Sequence, residues 1–502
     1  MNSSWSRRKF LERSLSAGGA LMAAGLGQGA FAQTASDPRF LIVLSGTGGA
    51  SIVDSFLAVR ESESVTPKEV NAYPDSLVQS IGNLPFRAID FSSERIGAIP
   101  ASFTANQSNF VKKHGQDMMV VTHTGTSVNH RVAEQRSVNG NAAWKGRTLQ
   151  EAVALQYGQG HPIPNVHLVN GTGFTERGTD DHLPSYAYGE HVSVPNLWPL
   201  SLDGHKGVDG APSRELFEKA RAFRNQQFDP RSDFYAVFKK SDRVRRWLEL
   251  RGDPLCGVEA QDLITKLMVF PDSEKMPLAA HGLRGSELGE KVRSAFPRYE
   301  IDPLESQAAL AFLLLRYGVA VTVTLGAEGG AVFKPGVTLK ESGLGKGGMI
   351  NTPIAFDFSH QAHRETQALM WDRTLSVADR LITLLKGEEF RSGQSYWDRS
   401  MIYIATEFGR TRRRPEGAMS FGSGHDLNNG SLIISPMANG GKVLGRVDPN
   451  TILTYGFDPQ TGRPEPGRHM TEAEIYSGIA QAMGVDLSGS GLPDMRAMRS
   501  SA

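Results

Sequence analysis

Three segments late in this chain hold side chains able to do chemistry together: MIYIATEFGRT (Met401–Thr411), FGSGHD (Phe421–Asp426) and SLIIS (Ser431–Ser435). A short apolar run rich in β-branched residues predicts a buried strand. The first such run ends on Glu407 with Arg410 close behind, and His425 and Asp426 follow just before the chain re-enters a sheet. Two carboxylates, a guanidinium and an imidazole are thereby placed at one sheet edge, where α/β proteins bind ligands at the carboxyl ends of their strands. Arg410 has the geometry to clamp an anionic group through paired hydrogen bonds. The run Arg412-Arg413-Arg414 reads instead as a solvated loop.

Other segments could add to this set. Phe356-Asp357-Phe358-Ser359-His360-Gln361-Ala362-His363 stands at the entry to a long helical pattern. Asp357 or Ser359 could cap that helix. Alternatively, carboxylate oxygen and imidazole nitrogen together suit zinc, manganese or iron, with His360 and His363 one turn apart on a single helical face. His123 closes an earlier strand, and Asn129-His130-Arg131 follows in its loop. After the first strand, Ser45-Gly46-Thr47-Gly48-Gly49-Ala50-Ser51 forms a Gly-rich turn, with Asp54 beyond it. Such a turn either brings backbone N–H groups to an anion or is simply tight. This turn does not have the GxGxxG pattern, GxxxxGK[ST] and GxSxG are missing, and no cysteine accompanies a suitable histidine, so the first strand carries no nucleotide-binding signature and the Ser-His-Asp signature is lacking. Nothing in the sequence places two acids at the separation a glycosidase needs.

The elements that must position these residues alternate. Strands are predicted at Phe40–Leu44, Met118–Thr122, Val166–Val169, Val319–Leu325, Met401–Ala405 and Leu432–Ile434. Helical patterns cover Thr148–Tyr157, Arg214–Arg224, Tyr235–Arg251, Leu304–Tyr317 and Gln361–Lys386, and Thr471-x-x-Glu474 is a capping box opening a helix to Met483. This alternation implies an α/β fold with a mostly parallel central sheet and helices on both faces. Residues 170–300 are poor in strand signals and rich in Gly, Pro and charge, and read as an insertion or cap.

The first 32 residues read as an address. Ser6-Arg7-Arg8-Lys9-Phe10-Leu11 has the twin-arginine pattern, a Gly/Ala-rich run follows, and Ala30-Phe31-Ala32 supplies a cleavage site. The implied partner is the twin-arginine translocation machinery, which carries folded proteins, and the implied location is periplasmic or secreted. Residues 33–502 then form the mature domain. It holds 50 basic and 52 acidic residues, once the leader's four and one are removed from 54 and 53. That balance points to neither nucleic acid nor an anionic membrane surface. The single cysteine, Cys256, excludes an intramolecular disulfide. The longest apolar run, Ala308–Leu315, is too short for stable membrane insertion, which needs ~20 residues.

With these residues in view, the chain resembles a large exported bacterial family of unknown function, grouped with the alkaline-phosphatase/sulfatase-like superfamily. Gly48-Gly49, Asn129-His130, Asp357 to His360, Glu407-Phe408-Gly409-Arg410-Thr411, Gly424-His425-Asp426 and Asn439-Gly440-Gly441 stand in that family's order. The Glu-Phe-Gly-Arg-Thr segment is the specific match, and the middle third matches poorly. Three departures are visible: Ser51 replaces the family's Asp after Gly-Gly-Ala, its Asp-Thr-His is stretched to Asp357-Phe358-Ser359-His360, and its Asp-His is inverted to His425-Asp426.

The resemblance implies an alkaline-phosphatase-like α/β sandwich and a metal-dependent hydrolase of phosphate or sulfate esters, acting on an anionic small-molecule ester. His130, Asp357, His360, His425 and Asp426 would be ligands of a divalent metal such as zinc or manganese, Glu407 a ligand or base, and Arg410 the anion clamp. No serine or threonine matches the superfamily nucleophile. The three departures motivate an alternative, a non-catalytic exported binding or scaffold protein on the same fold.

Overall fold

The computed structural model describes residues 37–500 apart from 97–98, 141–142, 169–176, 200–212, 242–265, 270–282, 284–285, 301 and 327–354. The leader expected over residues 1–32 and Cys256 therefore lie outside the described residues, as does most of the helix expected over Tyr235–Arg251.

Eight strands form the central sheet: β1 (Phe40–Gly46), β2 (Met118–Thr124), β3 (Asn165–His167), β4 (Glu190–His191), β5 (Thr322–Gly326), β6 (Ser400–Thr406), β7 (Asn428–Ile434) and β8 (Lys442–Leu444). Their order is β8-β2-β7-β6-β1-β5-β3-β4. β7 runs antiparallel to both its neighbours, and every other pairing is parallel. The mostly parallel α/β sheet read from the sequence is thus present. Phe40–Gly46 and Ser400–Thr406 are buried along their whole length. Such continuous apolar runs suit parallel strands covered on both sides, and each fully buried Leu, Ile or Phe contributes about 1.5–3 kcal/mol. Two strands the sequence analysis did not propose, β4 and β8, are short edges of two and three residues.

The principal helices are α1 (Leu149–Tyr157), α2 (Pro303–Arg316), α3 (His363–Gly387) and α4 (Glu472–Ala482). Thr148 and Thr471 open α1 and α4 with reciprocal capping boxes to Glu151 and Glu474. Asp302 caps α2 and also receives Arg373 of α3 at 2.9 and 3.1 Å, which ties the two helices together. Neither Asp357 nor Ser359 caps α3. Its N-cap is Ala362, with no side-chain cap, and Asp357 and Ser359 lie in a separate turn, Phe356–His360. Among the described residues no helix is long and apolar enough to cross a membrane.

Register carries the strand ends to one edge. β1 pairs with β6 from Phe40 beside Ser400 to Gly46 beside Thr406, so the loops beginning at Thr47 and Glu407 leave the sheet side by side. Antiparallel β7 begins at that same edge, with Asn428 opposite Thr124 at the end of β2. A two-residue ladder, Gly409–Arg410 with His425–Asp426, extends beyond it.

Candidate metal centre

Five segments converge at this edge. The turn after β1 is held from three sides: Gly48 N–H donates to Glu407 Oε1 at 2.6 Å, Ser51 N–H to Gln367 Oε1 and Ile52 N–H to Asn429 Oδ1, both at 3.0 Å. Its donors thus serve side chains of the protein, and the turn is a structural one. Gly48 has φ 86°, and a Cβ there would collide with Asp357. Phe356 N–H donates to Thr47 O at 2.9 Å, pinning the Phe356–His360 turn to β1.

Asp357 is the focus. Its Oδ1 lies 3.3 Å from His360 Nε2, 3.5 Å from His425 Nε2 and 3.6 Å from His130 Nε2. His360 and His425 approach each other at 2.9 Å, Nε2 to Nε2. Ligand atoms of His130, Asp357 and His425 all lie within 4.8 Å of one another. The side chains of His130, His360 and Asp357 are 44%, 44% and 43% exposed, so the cluster opens to solvent.

The far sides of two rings are fixed. His130 Nδ1 meets Glu407 Oε2 at 2.6 Å, and His425 Nδ1 meets the Val128 carbonyl at 2.8 Å. A carboxylate and a carbonyl can only accept, so both Nδ1 atoms carry protons, and each Nε2 atom offers a lone pair toward Asp357 whenever its ring is neutral. This is the arrangement of metal-binding histidines, whose outer partners set tautomer and ring angle. Phe408 stacks on His425 at 3.9 Å and meets His130 edge-on at 5.0 Å, restraining both rings.

The electrostatics treat the two rings differently. The Glu407 hydrogen bond raises the His130 pKa against the opposing effect of burial. Burial, with neighbouring Arg410, His130 and His360, lowers that of His425. Burial alone would raise Asp357, but the Arg410 hydrogen bond and charge, with His130 and His360, hold its carboxyl below the ordinary range.

Arg410 and Glu407 have no side-chain exposure. Arg410 Nη2 donates to Asp357 Oδ1 at 2.9 Å, to Phe356 O at 3.3 Å and to Gly48 O, while Nη1 reaches Ser423 O at 3.4 Å. It orients Asp357 and stitches three loops, so its fork faces inward. Both Glu407 oxygens are likewise engaged, with Gly48 and His130. Asp426 is not brought into the cluster. Its oxygens accept from Arg412 Nε at 3.0 Å and from the Asn428 backbone at 2.9 Å, because alternation along the ladder turns it away from His425. The solvated reading of the arginine run fits Arg413, which is exposed. Arg414 is buried against Glu61 and the Pro67 carbonyl.

His360 and His363 do not share a face, since the break between turn and helix separates them. His363 is fully buried and pairs with Asp54 at 2.9 Å. Tyr73 hydroxyl and Asn71 Nδ2 donate to the same Asp54 oxygen at 2.6 and 2.5 Å. Burial would raise Asp54, but the His363 charge and these hydrogen bonds hold it at about 2. The sequence displays Asp54 and His363 but carries no signal joining residues so far apart. His123 is also outside the cluster, buried with Nε2 3.0 Å from Ser431 Oγ and lowered to about 4 by burial. It lines a cavity of about 10 Å³ with Ser137, Tyr403 and Glu472.

The donor set of imidazole nitrogens and one carboxylate oxygen, with the Nε2 atoms aimed inward, fits a divalent transition metal. No protein-family model matches the chain, and no curated protein matches it.

Proposed function

We propose that this chain is an exported metal-dependent hydrolase of phosphate or sulfate esters, built as an alkaline-phosphatase-like sandwich with helices on both faces of its sheet. The observation that carries the reading is the convergence of three histidine Nε2 atoms, from three separate segments, on Asp357 Oδ1. His130, Asp357 and His425 would hold zinc or manganese, with His360 beside them. A bound divalent metal supplies charge neutralisation on the ester and an activated oxygen nucleophile. Glu407 holds the His130 proton on Nδ1, and Arg410 holds Asp357 in its ionised, inward pose. The twin-arginine leader supports transport of the folded protein by the translocation machinery to the periplasm or beyond.

One observation favours the second reading, a non-catalytic exported binding or scaffold protein on the same fold: Glu407 and Arg410 have no exposed surface with which to meet an ester. The two readings separate on one experiment. Protein purified without chelators is analysed for transition metals and then assayed on a panel of phosphate and sulfate esters. Metal with turnover that His425→Ala abolishes supports the hydrolase, and metal without turnover supports the scaffold. Less than about a tenth of an equivalent of metal removes the hydrolase reading and leaves the scaffold.

A further inference from the structure

Behind the cluster lies a buried chain that its ligands do not include. Asp54, His363 and Ser423 are 3%, 0% and 4% exposed. Asp54 Oδ1 meets His363 Nε2 at 2.9 Å, and His363 Nδ1 meets Ser423 Oγ at 2.7 Å. The ionised carboxylate can only accept, so His363 Nε2 carries a proton directed at Asp54. Arg364 donates to Asn71 Oδ1 at 3.3 Å, which turns the Asn71 amide nitrogen toward Asp54 as well.

Ser423 sits in the loop that bears His425. Its N–H donates to Ser359 O at 2.8 Å, within the turn that bears Asp357 and His360, and its own carbonyl receives Arg410. The preceding part of the loop is also held, since His363 N–H donates to Phe421 O at 2.7 Å and the two rings stack at 5.1 Å. The order Asp-His-Ser matches that of a nucleophilic triad, but the Ser423 hydroxyl is enclosed and also lies 3.3 Å from Ser359 O, out of reach of any substrate.

We propose that Asp54 and His363 are positioning residues which, through Ser423, lock the His425 loop onto the Asp357–His360 turn so that the ligand atoms meet. The inference rests on the metal-centre reading above. Outer partners of this kind change metal affinity by about 10–100-fold when removed.

The test measures Co²⁺ and Zn²⁺ dissociation constants by chelator competition, the Co²⁺ visible spectrum, and melting of the metal-free protein. It compares wild type with Ser423→Ala, Asp54→Ala and Asp54→Asn. Ser423→Ala removes one hydroxyl and leaves the backbone contacts, so it should stay folded with a modestly lowered melting temperature, because His363 Nδ1 loses its partner, and bind metal about 10-fold or more weakly, with an altered Co²⁺ spectrum. Asp54→Ala should weaken binding further. Asp54→Asn keeps the accepting oxygen and should recover most of the affinity. Wild-type affinity and spectrum in both alanine variants would overturn the proposal while leaving the metal centre intact. Turnover lost in Ser423→Ala at unchanged affinity would overturn it in favour of a nucleophilic serine. Absence of metal binding by wild type would end both the reading and the inference.

Discussion

His130 Nδ1 sits 2.6 Å from Oε2 of Glu407, and that contact decides which face of the ring is offered to Asp357. The acid lies seven residues after the start of β6 and the imidazole at the start of the short helix His130–Ala133 that follows β2, so the pair exists only because antiparallel β7 brings both strand ends to one edge.

Replacing that acid tests the relationship. Glu407→Gln keeps an oxygen but removes the charge and allows the amide nitrogen to face His130. Metal affinity should fall about 10–100-fold with little change in overall secondary structure. Chelator competition followed by circular dichroism checks both, and unchanged affinity would show that His130 does not depend on Glu407.

Arg410 should matter for stability more than for substrate affinity. Its guanidinium reaches three carbonyls and Asp357 at once, a pattern the single ammonium of lysine cannot reproduce. Arg410→Lys is expected to destabilise the fold by about 2–5 kcal/mol, because it leaves buried acceptors unpaired. Denaturant unfolding measures this. A stable variant with only a raised KM for an anionic ester would instead restore the clamp role.

Gly48 has a conformational and a steric reason to be glycine. Its φ is 86°, and an added Cβ would meet Asp357. Gly48→Ala should cost more than the ~1 kcal/mol of backbone strain alone and should lower metal affinity, since relief of the collision moves Asp357. Thermal melting with and without Zn²⁺ reads the two effects separately.

His123 predicts a pH effect remote from the cluster. Its ordinary value is 6.5 and burial lowers it to about 4 in the folded protein. The unfolded chain therefore takes up this proton first as pH falls. Its contribution to stability is complete above pH 6.5 and declines toward pH 4, by on the order of 3 kcal/mol. His123→Asn should flatten that part of the pH–stability curve. An unchanged slope would mean the ring is already protonated in the native state.

Most of the central strands and the candidate site's residue types are legible in the amino-acid sequence. Six predicted strands lie in the central sheet, because continuous β-branched runs such as FLIVL and MIYIA have no other way to leave water. The Thr471-x-x-Glu474 box opens α4 where expected, since capping is a local interaction. Asp357, His360, His425 and His130 were each legible as polar residues at strand or helix ends. The antiparallel ribbon Val78–Ser80, Arg87–Ile96, Ile99–Asn106 was not, because a strand such as RAIDFSSERI mixes polar and apolar positions without a clear run.

Which way each side chain faces follows from the packing of distant segments. Asp426 and His425 are adjacent in sequence, yet one pairs with Arg412 and the other joins Asp357, because neighbours on a strand point to opposite sides. His360 and His363 look like one helical face, yet the break before α3 sends the first to the open cluster and the second to buried Asp54. Arg410 reads as a clamp, yet closure of the surrounding loops turns its fork onto carbonyls. Residue type is a local property that the chain carries openly. Orientation depends on sheet register, helix starts and long-range hydrogen bonds, and these arise only when distant segments pack together.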